Sequence, residues 1–485
     1  MLNFINRKKY ELSLWLLILA YILYFSYFTI LRMRTLYASY FDLGIMHQAV
    51  YNTFQAIRTA DWTRFLEITN PHGFDQVKRM AIHNDVILAP IALLYFIYSG
   101  PETLLVLQAI VLALGAIAVY KIALFCFKEN KYRKLLGLIF SFSYLMYPPM
   151  QKANNFEFHA VTLSTTFLLF LFYFFLIKKY WQAMIFLVLS LLTKEQIGLT
   201  TFFFGGYFLY RSWKQKNLIG RNYSLIIMAV SILAFITSVY YIIPLFRGSR
   251  HFALSYYENL TENNPLNLIR TIFNADTLRY LFFLLGPLGF LPLISPLLFL
   301  ISLPELAINL FSSSANMRNI YFHYAAVIQP FIFIAAVFGA NSLIIWCKRK
   351  FHKDATVALT ILLFLTTIIF AYFIGPLPFS RVKEIHPFAY PSKETGVAQL
   401  WAKTLKNENL KIMTSGHLGP LFTSRRYYYQ FSVNYLLADY VVLQPEEIYN
   451  GFQSSETKPA YEEFIKDDRF ELIYQQENFE VYKKK

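Results

Sequence analysis

The chain has 485 residues, of which 56% are hydrophobic and 19% aromatic, and its mean hydropathy is +0.40. Soluble proteins carry about 45–50% apolar residues, so this composition excludes an ordinary soluble domain, and the unbroken apolar runs exclude a transmembrane barrel, whose strands alternate. The net charge of +16 lies largely in short loops between apolar runs, as in cytoplasmic loops of membrane proteins, which argues against nucleic acid as a partner.

The first apolar run, residues 12–31, follows the basic residues Arg7, Lys8 and Lys9. It is too long for a signal-peptide core, so we expect an uncleaved signal anchor in the cell membrane with a cytoplasmic N-terminus. Residues 32–102 then form a long outer loop. Its apolar stretch 86–98 contains Pro90, and a crossing there would place the basic segment 128–134 outside. We therefore predict that this stretch lies in the interface as a surface or re-entrant helix.

The later apolar runs alternate across the membrane and keep the basic segments 128–134, 211–221 and 347–353 inside. The predicted spans are residues 103–125, 135–148, 161–177, 181–192, 197–210, 223–244, two short spans within 278–311, 322–346 and 357–372. Prolines in 278–311 prevent one straight helix there. The total is about eleven spans, each near the ~20 residues that cross a bilayer. Cys126 and Cys347 would lie at the cytoplasmic face, where a disulfide is not expected.

The composition changes after Gly375, which ends a membrane domain of residues 1–375. Prolines mark a linker at 376–393, and residues 394–485 are predicted to form a small extracytoplasmic α/β domain that folds when expressed alone. Residues 410–414 and 440–443 have the pattern of buried strands, and 471–482 that of a hairpin turned at Glu477 and Asn478. The domain has no glycine-rich phosphate loop.

Charged side chains at the membrane edge are costly, so those on the outer side are candidates for function. Far fewer acidic residues lie at the inner face. Each candidate also has a structural interpretation, such as a hydrogen bond at the mouth of a span. The set comprises Asp42 for catalysis and, for substrate binding, His47, His83, Asp85, Glu157, His159, Lys194, Glu195, Glu305, Arg318 and His323.

Asp42 follows the first span closely enough to meet a membrane-bound substrate. Aspartate also suits the N-cap of a helix that starts near Leu43, so capping and catalysis both stay open. A divalent metal held by Asp42, Asp85, Glu157 and the histidines is a further alternative. No Asp-x-Asp or His-x-x-x-His spacing occurs near these residues, and we expect no metal and no other cofactor.

Several of these segments together resemble a family of multi-pass membrane proteins that is known mainly as a domain of unknown function. The resemblance covers roughly residues 40–340. It is carried by residues 40–45 with Gln48, 105–114, 156–159, 194–195 and 303–306. That family in turn resembles the GT-C glycosyltransferases, which include mannosyl- and aminoarabinose-transferring enzymes.

The GT-C resemblance implies a fold and a reaction. It implies a first outer loop with surface helices, a soluble outer domain, and transfer from a polyprenyl-phosphate-linked sugar to a glycan, lipid or protein acceptor with inversion. Asp42 falls at the position of the catalytic acid. The chain departs from its relatives at Leu43, where many have a second acid, and at residues 83–90, where a Lys-Pro-Pro-type segment often contacts the donor phosphate. Lys194, Arg318 or His323 would then stabilise the departing phosphate.

Two other classes of function remain open from the sequence. A transporter or flippase for a lipid or polymer would also have outer charges, aromatic interfaces and broken helices. A non-enzymatic envelope assembly protein would use the C-terminal domain to bind partners. The long first outer loop, the outer domain and the lack of visible repeats favour the transferase.

Overall fold

The computed structural model of the chain describes residues 2–71, 73–260, 270–382 and 393–485. Most of the predicted linker 376–393 lies outside the described residues. The first 382 residues are mainly helical. In chain order the helices are α1 (Leu2–Arg34), α2 (Ile45–Thr59), α3 (Leu88–Ile91), α4 (Glu102–Cys126), α5 (Arg133–Leu145), α6 (Pro148–Phe156), α7 (Ala160–Leu176), α8 (Tyr180–Leu191), α9 (Ile197–Lys214), α10 (Leu218–Thr237), α11 (Ile243–Arg247), α12 (Ala275–Leu285), α13 (Pro296–Phe299), α14 (Leu303–Phe311), α15 (Gln329–Phe351) and α16 (Thr356–Ile374).

Five helices in the described part of the chain are long and apolar enough to cross a membrane, judged by length and composition. Their apolar stretches are Lys8–Arg34, Glu102–Cys126, Leu218–Arg247, Gln329–Phe351 and Thr356–Ile374. Each overlaps a predicted span. The other predicted spans fall on shorter helices or on the broken segment 275–311. The chain is therefore a helical membrane protein with five candidate spans, and the count of about eleven stays a prediction.

Small residues let the helices of this bundle approach closely. α4 turns Ala109, Ala113 and Ala116 into the core, and a methyl group added at Gly115 would lie 2.2 Å from the hydroxyl of Tyr144. Close backbone approach at small residues is typical of helix packing in membranes. The opposite surfaces stay apolar: α16 leaves Ile361 about half exposed, as expected of a side chain that faces lipid.

The proline-rich segment is broken where the sequence predicts. α12 ends at Leu285, two 3-10 turns follow at Gly286–Leu288 and Leu291–Ile294, and the short helices α13 and α14 complete the segment. Proline removes a backbone donor and clashes with the preceding turn, which ends each helix early.

The first outer loop, residues 32–102, which the sequence predicts to lie outside, folds as a compact unit at one end of the bundle. A π-helical turn at Tyr40–Gly44 leads directly into α2, and β1 (Glu67–Thr69) pairs antiparallel with β2 (Gln76–Lys78). The stretch predicted to lie in the interface forms α3 and a 3-10 turn, Ala92–Phe96. It is too short to cross a bilayer, and Ile97 beside it is 86% exposed, as expected of a segment that rests on lipid.

The C-terminal domain is a mixed five-stranded sheet flanked by helices. The strand order is β4-β3-β5-β7-β6; β3 pairs parallel with β4 and β5, and β7 pairs antiparallel with β5 and β6. Both predicted strands and the hairpin turn at Glu477 and Asn478 are confirmed; β4 was not predicted. The elements are α17 (Lys393–Thr404), β3 (Ile412–Thr414), α18 (Gly419–Phe422), β4 (Tyr428–Gln430), β5 (Tyr440–Leu443), α19 (Pro445–Asn450), α20 (Ser454–Phe464), β6 (Phe470–Gln476) and β7 (Phe479–Lys484).

The two faces of this sheet belong to different hydrophobic cores. Met413 and Val441 pack with α20 on one side, whereas Ile412 and Val442 join a core that contains Leu43 and other residues of the first outer loop. Alternate residues of a strand point to opposite faces, so each strand contributes to both cores. An isolated 394–485 fragment would expose the second face. Folding of this fragment alone stays a prediction, and the shared core predicts that contact with the first outer loop stabilises the domain.

Polar contacts follow the same junction. The guanidinium of Arg426 donates to the carboxylate of Glu67 at 2.8 Å, and Arg64 pairs with Glu408 at 3.0 Å. The side chain of Gln48 donates to the carbonyl of Arg426 at 3.0 Å. These contacts fix the C-terminal domain on the loop that carries Asp42.

Gly419 tests this junction. A Cβ at this position would lie 2.6 Å from Cβ of Tyr40, at the centre of the interface. Because overpacking of a well-packed core costs about 1–3 kcal/mol, we expect Gly419→Ala to lower the thermal unfolding temperature of the purified protein in detergent. Gly396→Ala is the matched control: its Cβ meets nothing within 4 Å, and alanine favours helix α17. An unchanged Gly419→Ala protein would mean that the two units do not pack tightly.

Candidate functional site

A cavity of about 740 Å³ lies where the first outer loop meets the ends of α9, α10 and α14. It brings together seven of the predicted site residues, which are Asp42, His83, Asp85, His159, Lys194, Glu195 and His323. The other four, His47, Glu157, Glu305 and Arg318, do not line it.

Asp42 lies on the cavity wall within the π-helical turn. One carboxylate oxygen, Oδ1, is 2.9 Å from Nε2 of His159, and the side chain is 28% exposed. The ring of His159 stacks on that of His323 with centroids 3.8 Å apart. The N-cap positions of the turn and of α2 are Ser39 and Gly44, and among the described residues the side chain of Asp42 contacts His159 rather than a backbone amide. The capping alternative therefore finds no support in the contacts of this side chain.

Glu157 makes the backbone hydrogen bonds that are expected of a helix cap. Its two carboxylate oxygens accept the backbone N–H of Ser39 at 2.9 Å and of Leu43 at 2.6 Å, one on each side of Asp42. Burial and the nearby charge of Asp42 raise the pKa of Glu157 well above its usual range, while the two amide donors oppose the shift. Glu157 thus shapes the turn that presents Asp42.

Asp85 pairs with Arg79, which was not among the predicted site residues. Arg79 donates from Nε and Nη2 to both oxygens of Asp85 at 2.8–3.0 Å, and both side chains are buried. Burial raises the pKa of Asp85, and the Arg79 charge counters that shift. The available signal was an arginine in a loop predicted to lie outside, against the usual placement of basic residues.

Glu195 collects three donors. Its Oε1 is 2.8 Å from Nδ1 of His83 and 3.0 Å from Nε2 of His251, and its Oε2 accepts the backbone N–H of Asn84 at 3.0 Å. Burial alone would raise the pKa of Glu195. The electrostatic interaction with His83 and the hydrogen bonds from both imidazoles have a larger effect and hold that pKa well below its usual range. His251 was missed because a single histidine in a polar loop carries no spacing signal.

The same three side chains offer ligand atoms within 4.8 Å of one another, which suits a divalent metal by residue type. The hydrogen bonding does not suit it. Nδ1 of His251 accepts the backbone N–H of Ala253 at 3.1 Å, whereas a metal-binding imidazole donates from the nitrogen that does not bind the metal. Because Nδ1 of His251 is an acceptor, its Nε2 carries the proton and donates a hydrogen bond to Glu195.

The remaining predicted residues have structural contacts. Both nitrogens of His47 are engaged, by the hydroxyls of Tyr95 at 2.7 Å and Ser424 at 2.8 Å, and burial lowers the pKa of His47 to about 3. Arg318 donates to two backbone carbonyls, one of them that of Ser312 at 2.7 Å. Glu305 is buried at the start of α14 beside Gln196.

The buried pair of Asp85 and Arg79 predicts a large change in stability. Asp85→Asn leaves the Arg79 guanidinium without its counter-ion, and breaking a buried pair costs about 3–5 kcal/mol. We expect a marked fall in thermal unfolding temperature. Glu129→Gln is the control, because the Lys128–Glu129 pair is exposed and such pairs contribute little. Equal effects of the two substitutions would contradict a buried, tightly paired Asp85.

Comparison with solved structures finds the archaeal oligosaccharyltransferase AglB from Archaeoglobus fulgidus. Its complex with an inhibitory peptide and a dolichol-phosphate is 12% identical, with a TM-score of 0.49, over 91% of this chain and 72% of that chain. An oligosaccharyltransferase of Archaeoglobus fulgidus in the apo form is 11% identical, with a TM-score of 0.48 and the same coverage.

A search of curated protein sequences finds no match to the chain. The profile of the family described as predicted membrane protein (DUF2079) matches residues 32–481, which confirms the family resemblance seen in the sequence. The chain therefore belongs to the DUF2079 family of membrane proteins.

Proposed function

We propose that the chain is a membrane glycosyltransferase that moves a sugar from a polyprenyl-phosphate-linked donor to an extracytoplasmic acceptor, with inversion and with Asp42 as general base. The observation that carries the proposal is the setting of Asp42. Its carboxylate lies on the wall of a large cavity, is held on one oxygen by His159, and makes no hydrogen bond from Oδ2 within the described residues.

A general base needs a fixed carboxylate with one oxygen available to the proton. The Nε2–H of His159 fixes Oδ1, and the turn held by Glu157 fixes the backbone. Oδ2 then accepts the proton of the acceptor hydroxyl while that oxygen attacks the anomeric carbon and the lipid phosphate leaves. A base of this kind contributes about 10²–10⁴-fold to the rate.

Lys194 is suited to stabilise the leaving phosphate. It lines the same cavity and forms no ion pair among the residues that the structure describes. A cation near a developing phosphate charge lowers the barrier because its charge is already in place. His323 lines the cavity too, whereas Arg318 is occupied by backbone carbonyls, so Lys194 is the better assignment.

The cavity also has an apolar side that suits a lipid. Leu199 on α9, Phe235 near the end of α10 and Val239 just after that helix line it next to the bundle. A polyprenyl chain would lie against this side with its phosphate at the polar end. A cavity with one polar and one apolar side suits a lipid-linked substrate. A non-enzymatic assembly protein needs no such cavity, so this feature favours the transferase.

The proposed topology has about eleven spans, the N-terminus and basic loops in the cytoplasm, and residues 394–485 outside, with 1–375 as the membrane domain and 376–393 as linker. A cysteine test follows from the basic-loop pattern. In intact cells, we expect a membrane-impermeant maleimide to label a cysteine introduced at Ser455 and to miss Cys347. The Cys126→Ala background removes the second native thiol. Labelling of Cys347 but not of position 455 would reverse the topology.

Asp42→Asn tests the catalytic assignment. The amide keeps the shape of the side chain and its contact with His159 but cannot accept the proton, so transfer from polyprenyl-phosphate sugars, followed by mass analysis of products, should fall by about 10²–10⁴-fold. Thermal stability should stay near that of the wild type.

Asp468→Asn is the matched control, since this aspartate is exposed on the C-terminal domain away from the cavity. It should leave transfer unchanged. An Asp42→Asn protein with near-normal transfer would remove Asp42 from the reaction.

A further inference from the structure

The hydrogen bonds around Glu195 determine where the protons lie. The backbone N–H of Ala253 donates to Nδ1 of His251, so that nitrogen bears a lone pair. The neutral ring therefore carries its proton on Nε2, which points at Oε1 of Glu195 from 3.0 Å. His251 is a donor to Glu195.

Both oxygens of Glu195 are acceptors. Oε1 accepts from His251, and Oε2 accepts the backbone N–H of Asn84. Neither oxygen is placed to donate a proton to His83, so Nδ1 of His83, 2.8 Å from Oε1, must be the donor of that contact. A neutral imidazole has one N–H, which leaves Nε2 of His83 with a free lone pair.

This lone pair is accessible. His83 lines the cavity and its side chain is 19% exposed. Within the described residues its Nε2 has no hydrogen-bond partner. This nitrogen is not one of the unpartnered polar atoms that are fully buried, so it is open to the cavity. By contrast, both nitrogens of His47 and of His251 are engaged. Burial also lowers the pKa of His83 to about 3, which keeps the ring neutral at pH 7.

We infer that His83 is a substrate-binding residue whose Nε2 accepts a hydrogen bond from a hydroxyl group of the sugar in the cavity, with Glu195 and His251 as its positioning residues. The inference rests on the proposed function and names the group that selects the sugar.

The choice of a hydroxyl follows from the chemistry of the lone pair. A polyprenyl phosphodiester carries no proton at neutral pH, so it has nothing to donate to Nε2 and its charge would be repelled. Lys194, next to Glu195 in the chain, offers the cation that such an anion needs. The two neighbouring residues therefore serve different parts of the substrate. Glu195 positions His83, whose lone pair accepts from a hydroxyl, and Lys194 binds the phosphate.

The first experiment measures the lone pair without any substrate. Full-length protein in detergent at pH 7 is treated with diethyl pyrocarbonate, which acylates unprotonated imidazole nitrogens, and each histidine is followed by mass spectrometry. We expect His83 to react at a rate close to that of the exposed His417. His47 and His251 should react at least about tenfold more slowly, because the hydrogen bonds that engage their ring nitrogens must break first. An unreactive His83 overturns the inference.

Glu195→Gln changes the tautomer. Its amide can donate to Nδ1 of His83, which moves the ring proton to Nε2, so labelling of His83 should fall about tenfold. Glu447→Gln is the matched control: Glu447 pairs with His417 on the C-terminal domain and should leave His83 labelling unchanged. Equal labelling of His83 in the wild type and Glu195→Gln proteins overturns the role of Glu195.

The second experiment identifies the occupant in wild-type protein. Polyprenyl-phosphate-glucose should protect His83 from the reagent, and polyprenyl phosphate should not. Protection by both, or by neither, overturns the sugar contact. One equivalent of Zn²⁺ retained through dialysis, with loss of His83 labelling, would assign the cluster to a metal and also overturn it. Transfer by Asp42→Asn is scored separately, so a wrong general base leaves the His83 result standing.

Discussion

The setting of Asp42 depends on the carboxylate of Glu157. That carboxylate accepts two backbone N–H groups, of Ser39 and Leu43, and so ties the first outer loop to the segment between α6 and α7. A buried carboxyl without hydrogen-bond donors is costly, so the two amides stabilise the Glu157 carboxyl in its buried position. The carboxyl in turn holds the backbone on both sides of Asp42. His159, two residues after Glu157, then reaches Asp42 from the same segment. One short stretch therefore sets both the backbone and the side chain of the candidate base.

The first outer loop cannot bury its apolar residues by itself. Leu43 and Val50 join a core that also contains Phe422 and Val442 of the C-terminal domain. The C-terminal domain therefore completes the core beneath Asp42, which gives it a structural part in the site whether or not it touches substrate. Its distance in sequence hides this role, because composition marks residues 394–485 as a separate domain.

The sequence predicted what local patterns control. Apolar length predicted five helices that are long enough to span a membrane, prolines predicted the break within 278–311, and turn residues predicted the hairpin at Glu477. It could not predict the parallel strand β4, which has only three residues, or the pairing of Arg79 with Asp85. Long-range pairing depends on how loops fold back over one another, and neither His251 nor its partner Glu195 carries a mark of that contact in its own neighbourhood.

Pairing also narrows which charges in the cavity are available for chemistry. Charges buried without partners are costly, and the structure satisfies most of those here: Asp85 by Arg79, and Glu195 by two imidazoles and a backbone amide. Among the described residues that line the cavity, Asp42 keeps one oxygen unbonded and Lys194 keeps its ammonium unpaired. The proposed displacement of a phosphate requires a base and a cation, and the proposal assigns these parts to Asp42 and Lys194. The paired groups hold the walls of the cavity, and the proposed reaction would use the carboxylate oxygen and the ammonium that they leave available.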